Sequence, residues 1–172
     1  MALESIVLVR DLVGVTAPWR SLFSHSAPVE MSVVGTHVLS MLGAGGLAIA
    51  HDRGRLRAER WSPAIREHHR AELHAVHRIV VVALAVCMLS GVALFGSDVK
   101  TYVASVPFWI KMALIAMLLG NALIMTAAEG SLRVDSGGNA AVAWARIRAS
   151  SVASVFLWGA IVLVSIVLAL SR

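Results

Sequence analysis

Histidines are the residues in this chain whose type and spacing come closest to chemistry. His37 lies about two turns inside an apolar run, and His51 closes that run. His74 and His77 lead into the next one. If the two runs are antiparallel helices, His51 and His77 come to the same level. Two neutral imidazoles facing each other across helices are what a b-type haem takes as axial ligands, with His74 as the alternative on the second helix. The plainer reading is that His51, His74 and His77 are boundary residues among arginines, where an imidazole needs no special partner. The pair His68-His69 reads as solvated.

His37 has no histidine counterpart near the same end of another run, so its expected role is a hydrogen bond between helices. A contact with a quinone or a pigment is the sharper reading. Lys111 and Asn121 complete an intramembrane polar set. The ammonium of Lys111, near a helix end, can reach the headgroups. The Asn121 amide is deeper, and in hydrocarbon it must find a partner. His37, Lys111 and Asn121 would line one outward-facing pocket if the first and third apolar helices adjoin. Methionines such as Met41 and Met88 could give sulfur to a soft metal but fit packing equally well.

No nucleophile motif, phosphate loop or zinc signature accompanies these residues. The lone Cys87 excludes a disulfide framework and a thiolate metal site. Glu30, Asp52, Asp98 and Glu129 all fall at the ends of apolar runs, which argues against an ion-coupled transporter.

What must position the set is a membrane. Of 172 residues, 58% are hydrophobic and only 15% charged, and the apolar residues are gathered into long runs. Four runs are uncharged for long enough to span about 30 Å of hydrocarbon at 1.5 Å per residue. With every peptide group bonded inside its own segment, they must be helices. The expected helices cover about 31–51, 63–97, 108–128 and 147–171. Ser62-Pro63 supplies an N-cap and a first-turn proline, so the second helix is expected to begin before the apolar run and to project from the bilayer. Ser40, Ala44 and Ala48, and likewise Ala83, Cys87 and Gly91, repeat at four-residue spacing, which lets helix backbones approach.

Ten of the 15 basic residues fall in two links, Arg53 to Arg78 and Arg133 to Arg148. The positive-inside rule then puts both links in the cytoplasm and both chain ends outside. Read this way, the basic excess orients the chain in a lipid bilayer and is not a nucleic-acid surface. Residues 1–30 are too interrupted to span. Glu4 and Asp11 share one face of an otherwise apolar segment, which suggests an amphipathic helix lying in the outer interface, ended by Pro18 and anchored by Trp19. A partner-binding arm is the alternative for that segment. Tyr102, Trp109 and Trp144 read as interfacial belt residues, and Trp158 as a packing residue. The expected fold is all-α: a four-helix transmembrane bundle (31–172) preceded by an interfacial segment (1–30).

Several segments together resemble an uncharacterised bacterial family of four-helix membrane proteins, a domain of unknown function. They are HVLSMLGAGGLAIAHDR from His37, GVALFGSDVKTY from Gly91, FWIKMALIAMLLGNAL from Phe108, and SVFLWGAIV from Ser154. That family is distantly similar to copper-resistance-D and cytochrome b561-like bundles. The resemblance covers Glu30 to the C-terminus and implies the four-helix bundle, with His37, Lys111 and Asn121 as a family-level polar set. It implies no activity. Here the first helix continues as Asp52-Arg53-Gly54-Arg55 instead of the family's aspartate-leucine-arginine run, and the Arg- and His-rich link is expanded. His74 and His77 lie outside the family pattern.

Three functions follow as expectations. The favoured one is a non-catalytic subunit of a larger respiratory or photosynthetic complex in a bacterial inner membrane, packed against other membrane subunits. The next is a membrane electron carrier associated with haem b or quinone. The last is a copper-type permease using His37 and the methionines.

Overall fold

The computed structural model describes residues 2–58, 63–134 and 140–170, and among them every regular element is an α-helix. In chain order these are α1 (Ala2–His25), α2 (Ala27–Ala58), α3 (Pro63–Ser97), α4 (Val99–Ala104), α5 (Val106–Val134) and α6 (Ala140–Leu170). Four of them contain stretches long and apolar enough to cross a membrane: Ala27–Gly54, Arg78–Ser97, Val106–Ala128 and Ala141–Leu170.

The helices outrun the apolar runs, because a charged side chain ends hydrophobicity without ending the main-chain hydrogen bonding. The second apolar helix, α2, begins four residues before the expected Met31 and continues seven past His51. α5 and α6 are extended in the same way. The boundary drawn at Glu30 therefore falls inside a helix.

Three of the four prolines sit in the first turn of a helix, Pro28 in α2, Pro63 in α3 and Pro107 in α5, where no N–H is owed to a preceding turn. The fourth corrects an expectation: α1 does not end at Pro18 but runs through it to His25. The missing N–H costs one hydrogen bond there, and flanking turns keep the helix continuous. α4 was not foreseen. Asp98 caps it, its carboxylate accepting the Thr101 N–H at 3.3 Å, and the chain leaves it through Ser105 in an extended conformation.

The chain divides into two compact units, Met1–Ala44 with Arg78–Val106, and Gly45–His77 with Pro107–Arg172. In the first, α1 lies against α3 and α4. The indole N–H of Trp19 donates to the carbonyl of Ala93 at 2.8 Å. Gly96 lets this happen, since a Cβ there would stand 3.3 Å from Trp19 Cδ1 and 3.6 Å from Thr16 Cγ2. Trp19 and Phe23 meet in a tilted pair with ring centroids 6.0 Å apart. Tyr102, expected in the interfacial belt, is buried and faces Phe95 at 6.1 Å.

In the second unit, α5 and α6 run antiparallel. Asn121 meets Ser150, and one to two turns further along Met125 and Ala128 pack on Ile147 and Trp144. Trp144 thus packs between helices, and Trp109 of α5 is exposed. The buried face of α6 repeats at three and four residues through Ala143, Ile147, Ser150, Ser154, Trp158, Ile161 and Leu168. That is the seam a helix shows to neighbours. Trp158 packs, as its depth in the sequence implied. Its ring lies where a Cβ on Gly45 would come within 2.8 Å, so only glycine fits at that crossing.

Candidate functional site

In the first unit, α2 presents His37 to the Cys87–Gly91 turn of α3. His37 Nδ1 lies 3.0 Å from the Cys87 carbonyl oxygen, 3.1 Å from Ser90 Oγ and 3.8 Å from Cys87 Sγ. A carbonyl oxygen has no proton to give, so Nδ1 carries one and donates it. Ser90 Oγ accepts from the same N–H, because its own proton goes back along α3 to the Val86 carbonyl at 2.8 Å or that of Cys87 at 3.0 Å. Gly91 makes room for the imidazole: a Cβ at that position would be 3.2 Å from His37 Cε1. The four-residue stripe of Ala83, Cys87 and Gly91 is thus where a side chain of α2 lands.

In the second unit, Asn121 of α5 grips Ser150 of α6. Its Nδ2 donates to the Ser150 carbonyl at 2.9 Å. The Ser150 hydroxyl lies 2.9 Å from Asn121 Oδ1 and 3.1 Å from the Asn121 carbonyl, with its one proton directed between them. An amide and a hydroxyl placed in an apolar span satisfy each other, main chain included, which is the resolution lipid requires.

Lys111 is half-buried ten residues before Asn121. That separation is about 15 Å along α5 and a little under a quarter of a turn around it. Within the first unit His37 links α2 to α3, and within the second Asn121 links α5 to α6. His51, His74 and His77 lie in α2 and α3, but their side chains fall outside the described residues.

Asp52 stands two residues before the end of its span, near where the sequence puts it. It lies within Ala27–Gly54, on a helix that continues to Ala58, and is only 5% exposed. On α6, Ser150, Ser151 and Ser154 are all buried. Ser151 is wholly enclosed, and its hydroxyl has no hydrogen-bond partner among the described residues. The signal for this layer was present as three serines within five residues of an apolar run, but their facing depends on what α5 holds. Among the described residues, no three His, Cys, Asp or Glu side chains come together as a metal-binding group.

A shallow groove of about 800 Å³ runs along α6, lined by Ala141, Ala145, Ala149 and Ala153 with Trp144 and Arg148. No family model, curated protein or solved structure matches this chain.

Proposed function

We propose that this protein is a non-catalytic integral subunit of a bacterial inner-membrane complex, respiratory or photosynthetic, with its four long helices crossing the bilayer as a bundle. α1 lies along the outer side, and both chain ends are periplasmic. The observation that carries this reading is how the intramembrane polar side chains are used. His37 holds α2 to α3, Asn121 holds α5 to α6, and Trp19 holds α1 to α3. Polar groups spent on fixing helices build a surface for neighbours instead of a reaction centre. Kinship with the four-helix family of unknown function belongs to the same proposal. Deleting the gene is the test. The partner subunits should be synthesised but accumulate less as an assembled complex on native gels; an unchanged pattern of membrane complexes overturns the reading.

A second reading keeps one specific support. His37 Nδ1 is held 3.0 Å from the Cys87 main-chain carbonyl, and orientation of an imidazole by such a carbonyl is a feature of axial histidines of haems and pigments. On that reading His37 is the ligand in an electron carrier. A Soret band that stays with the purified chain and disappears in His37→Ala supports it. A colourless protein removes it. The copper-permease reading gains no comparable support.

A further inference from the structure

We propose that the groove along α6 holds an anionic phospholipid of the cytoplasmic leaflet, its phosphate on Arg148 and its upper acyl carbons against Val152 and Ala153. The inference rests on the reading that α6 crosses the membrane with its N-terminal end in the cytoplasm, and it goes beyond the subunit role.

The helix builds the groove from small side chains. Ala141, Ala145, Ala149 and Ala153 recur every four residues, each about 40° round from the last, so they trace one shallow stripe about 18 Å long. Arg148 and Val152 fall in the same sector and line the groove with them. Ala141, Ala145, Arg148, Ala149 and Val152 are exposed. Trp144 is half-buried and packed on Met125, Ala128 and Ile147, so its ring is a fixed wall. The volume of about 800 Å³ lies within the roughly 300–1,000 Å³ of clefts that hold small ligands.

Depth selects the occupant. Arg148 is the last charge before the uncharged run 149–171, which sets it at the edge of the hydrocarbon. From there the groove descends to Ala153, about 8 Å into hydrocarbon, and rises to Ala141, about 10 Å through the headgroup layer. Trp144 stands in the layer where tryptophans gather. An occupant must be anionic at the level of Arg148 and apolar below it, which describes a phospholipid. Arg148 has an interaction within the chain, but its guanidinium carries five N–H donors in a fork that matches phosphate oxygens, more than one neighbour takes up. Basic sites on the cytoplasmic side of membrane helices recognise anionic headgroups in this way. The α6 helix of a second copy suits the alanines but not the arginine. A twofold axis along the membrane normal would run the two helices parallel and bring both Arg148 side chains to one level.

Native mass spectrometry of the purified full chain in detergent, with equal amounts of phosphatidylglycerol and phosphatidylcholine added, reads the preference. The chain should retain one phosphatidylglycerol about tenfold over phosphatidylcholine. Arg148→Gln should cut that preference about fivefold. Ala149→Leu keeps the charge but fills the groove and should do the same; both positions are exposed, so neither change disturbs the packing of α6 on α5. Arg146→Gln removes an equal charge about 160° round the helix and should leave the preference unchanged. Equal retention of the two lipids overturns the proposal, and an equal loss in Arg146→Gln and Arg148→Gln replaces it by diffuse surface charge. A preference that survives Ala149→Leu overturns the groove as the site, and partner subunits shed by that variant from the native complex would assign the groove to a protein helix. Displacement of the lipid by inorganic phosphate at matched ionic strength would make the ligand a free anion and overturn the lipid. Partner subunits take no part in lipid retention by the purified chain, so a negative result there leaves the subunit reading to the gene deletion.

Discussion

Replacing His37 by alanine takes the donor away from the Cys87 carbonyl and Ser90 hydroxyl and leaves a cavity beside Gly91. Interhelical hydrogen bonds in membranes average about 0.6 kcal/mol and reach about 2 kcal/mol. His37→Ala should therefore lower stability by about 1–2 kcal/mol in reversible detergent unfolding. Asn121 and Ser150 form a closed pair, so their double-mutant cycle with alanine should show coupling of about 0.5–2 kcal/mol; strict additivity would mean that the two act independently. At the Gly45 crossing the prediction is steric. Gly45→Val places two methyl groups into the Trp158 ring, and overpacking of this kind costs about 1–3 kcal/mol. Gly45→Val with Trp158→Leu should recover much of that loss, read as an unfolding midpoint closer to that of the unsubstituted chain. At this scale the sequence was partly legible. That an amide or imidazole in an apolar run needs a partner follows from its chemistry alone. Which partner follows only from the crossing of helices fifty residues apart in sequence for His37 and twenty-nine for Asn121.

For the elements, hydropathy was a good guide to how many helices are long and apolar enough to span and a poor one to where they stop. Charges at Asp52 and Glu129 end the apolar runs, but α2 and α5 carry on because backbone hydrogen bonding is indifferent to side-chain charge. The same separation hid the burial of Asp52. α1 was legible as a helix too interrupted to span, but the proline inside it was read as an end. Trp19 was read as an interfacial anchor because it follows an amphipathic segment and tryptophan favours the membrane–water boundary. In the structure its indole N–H reaches Ala93, and Gly96 clears the space for the ring. Trp19→Phe keeps the ring pair with Phe23 and removes only the hydrogen bond, so it should loosen α1 without unfolding the rest. Hydrogen–deuterium exchange should rise in Arg10–His25 and stay unchanged in α5 and α6. Gly96→Leu should do the same more strongly by pushing α1 off α3.

For the whole molecule, the distribution of arginines makes a topological prediction that packing does not. With Cys87 replaced by alanine, single cysteines at Gly54 and at Lys100 should label from opposite sides of the membrane, Gly54 from the cytoplasm. Labelling from the same side would break the four-crossing arrangement. The function proposed here was less legible than the fold, for a physical reason. A subunit that works by presenting packed helices needs small residues, apolar faces and satisfied polar groups. Those are the requirements of any membrane bundle, so they carry no distinguishing pattern in one chain.

Native mass spectrometry of the tagged protein, released from its own membranes in a mild detergent, tests the central claim most directly. The account predicts a particle well above the 18.3 kDa of this chain, containing other membrane subunits in fixed stoichiometry, with no chromophore following this chain when the particle is dissociated. A monodisperse 18.3 kDa species with no partners, or one that keeps a bound chromophore through isolation, would contradict it.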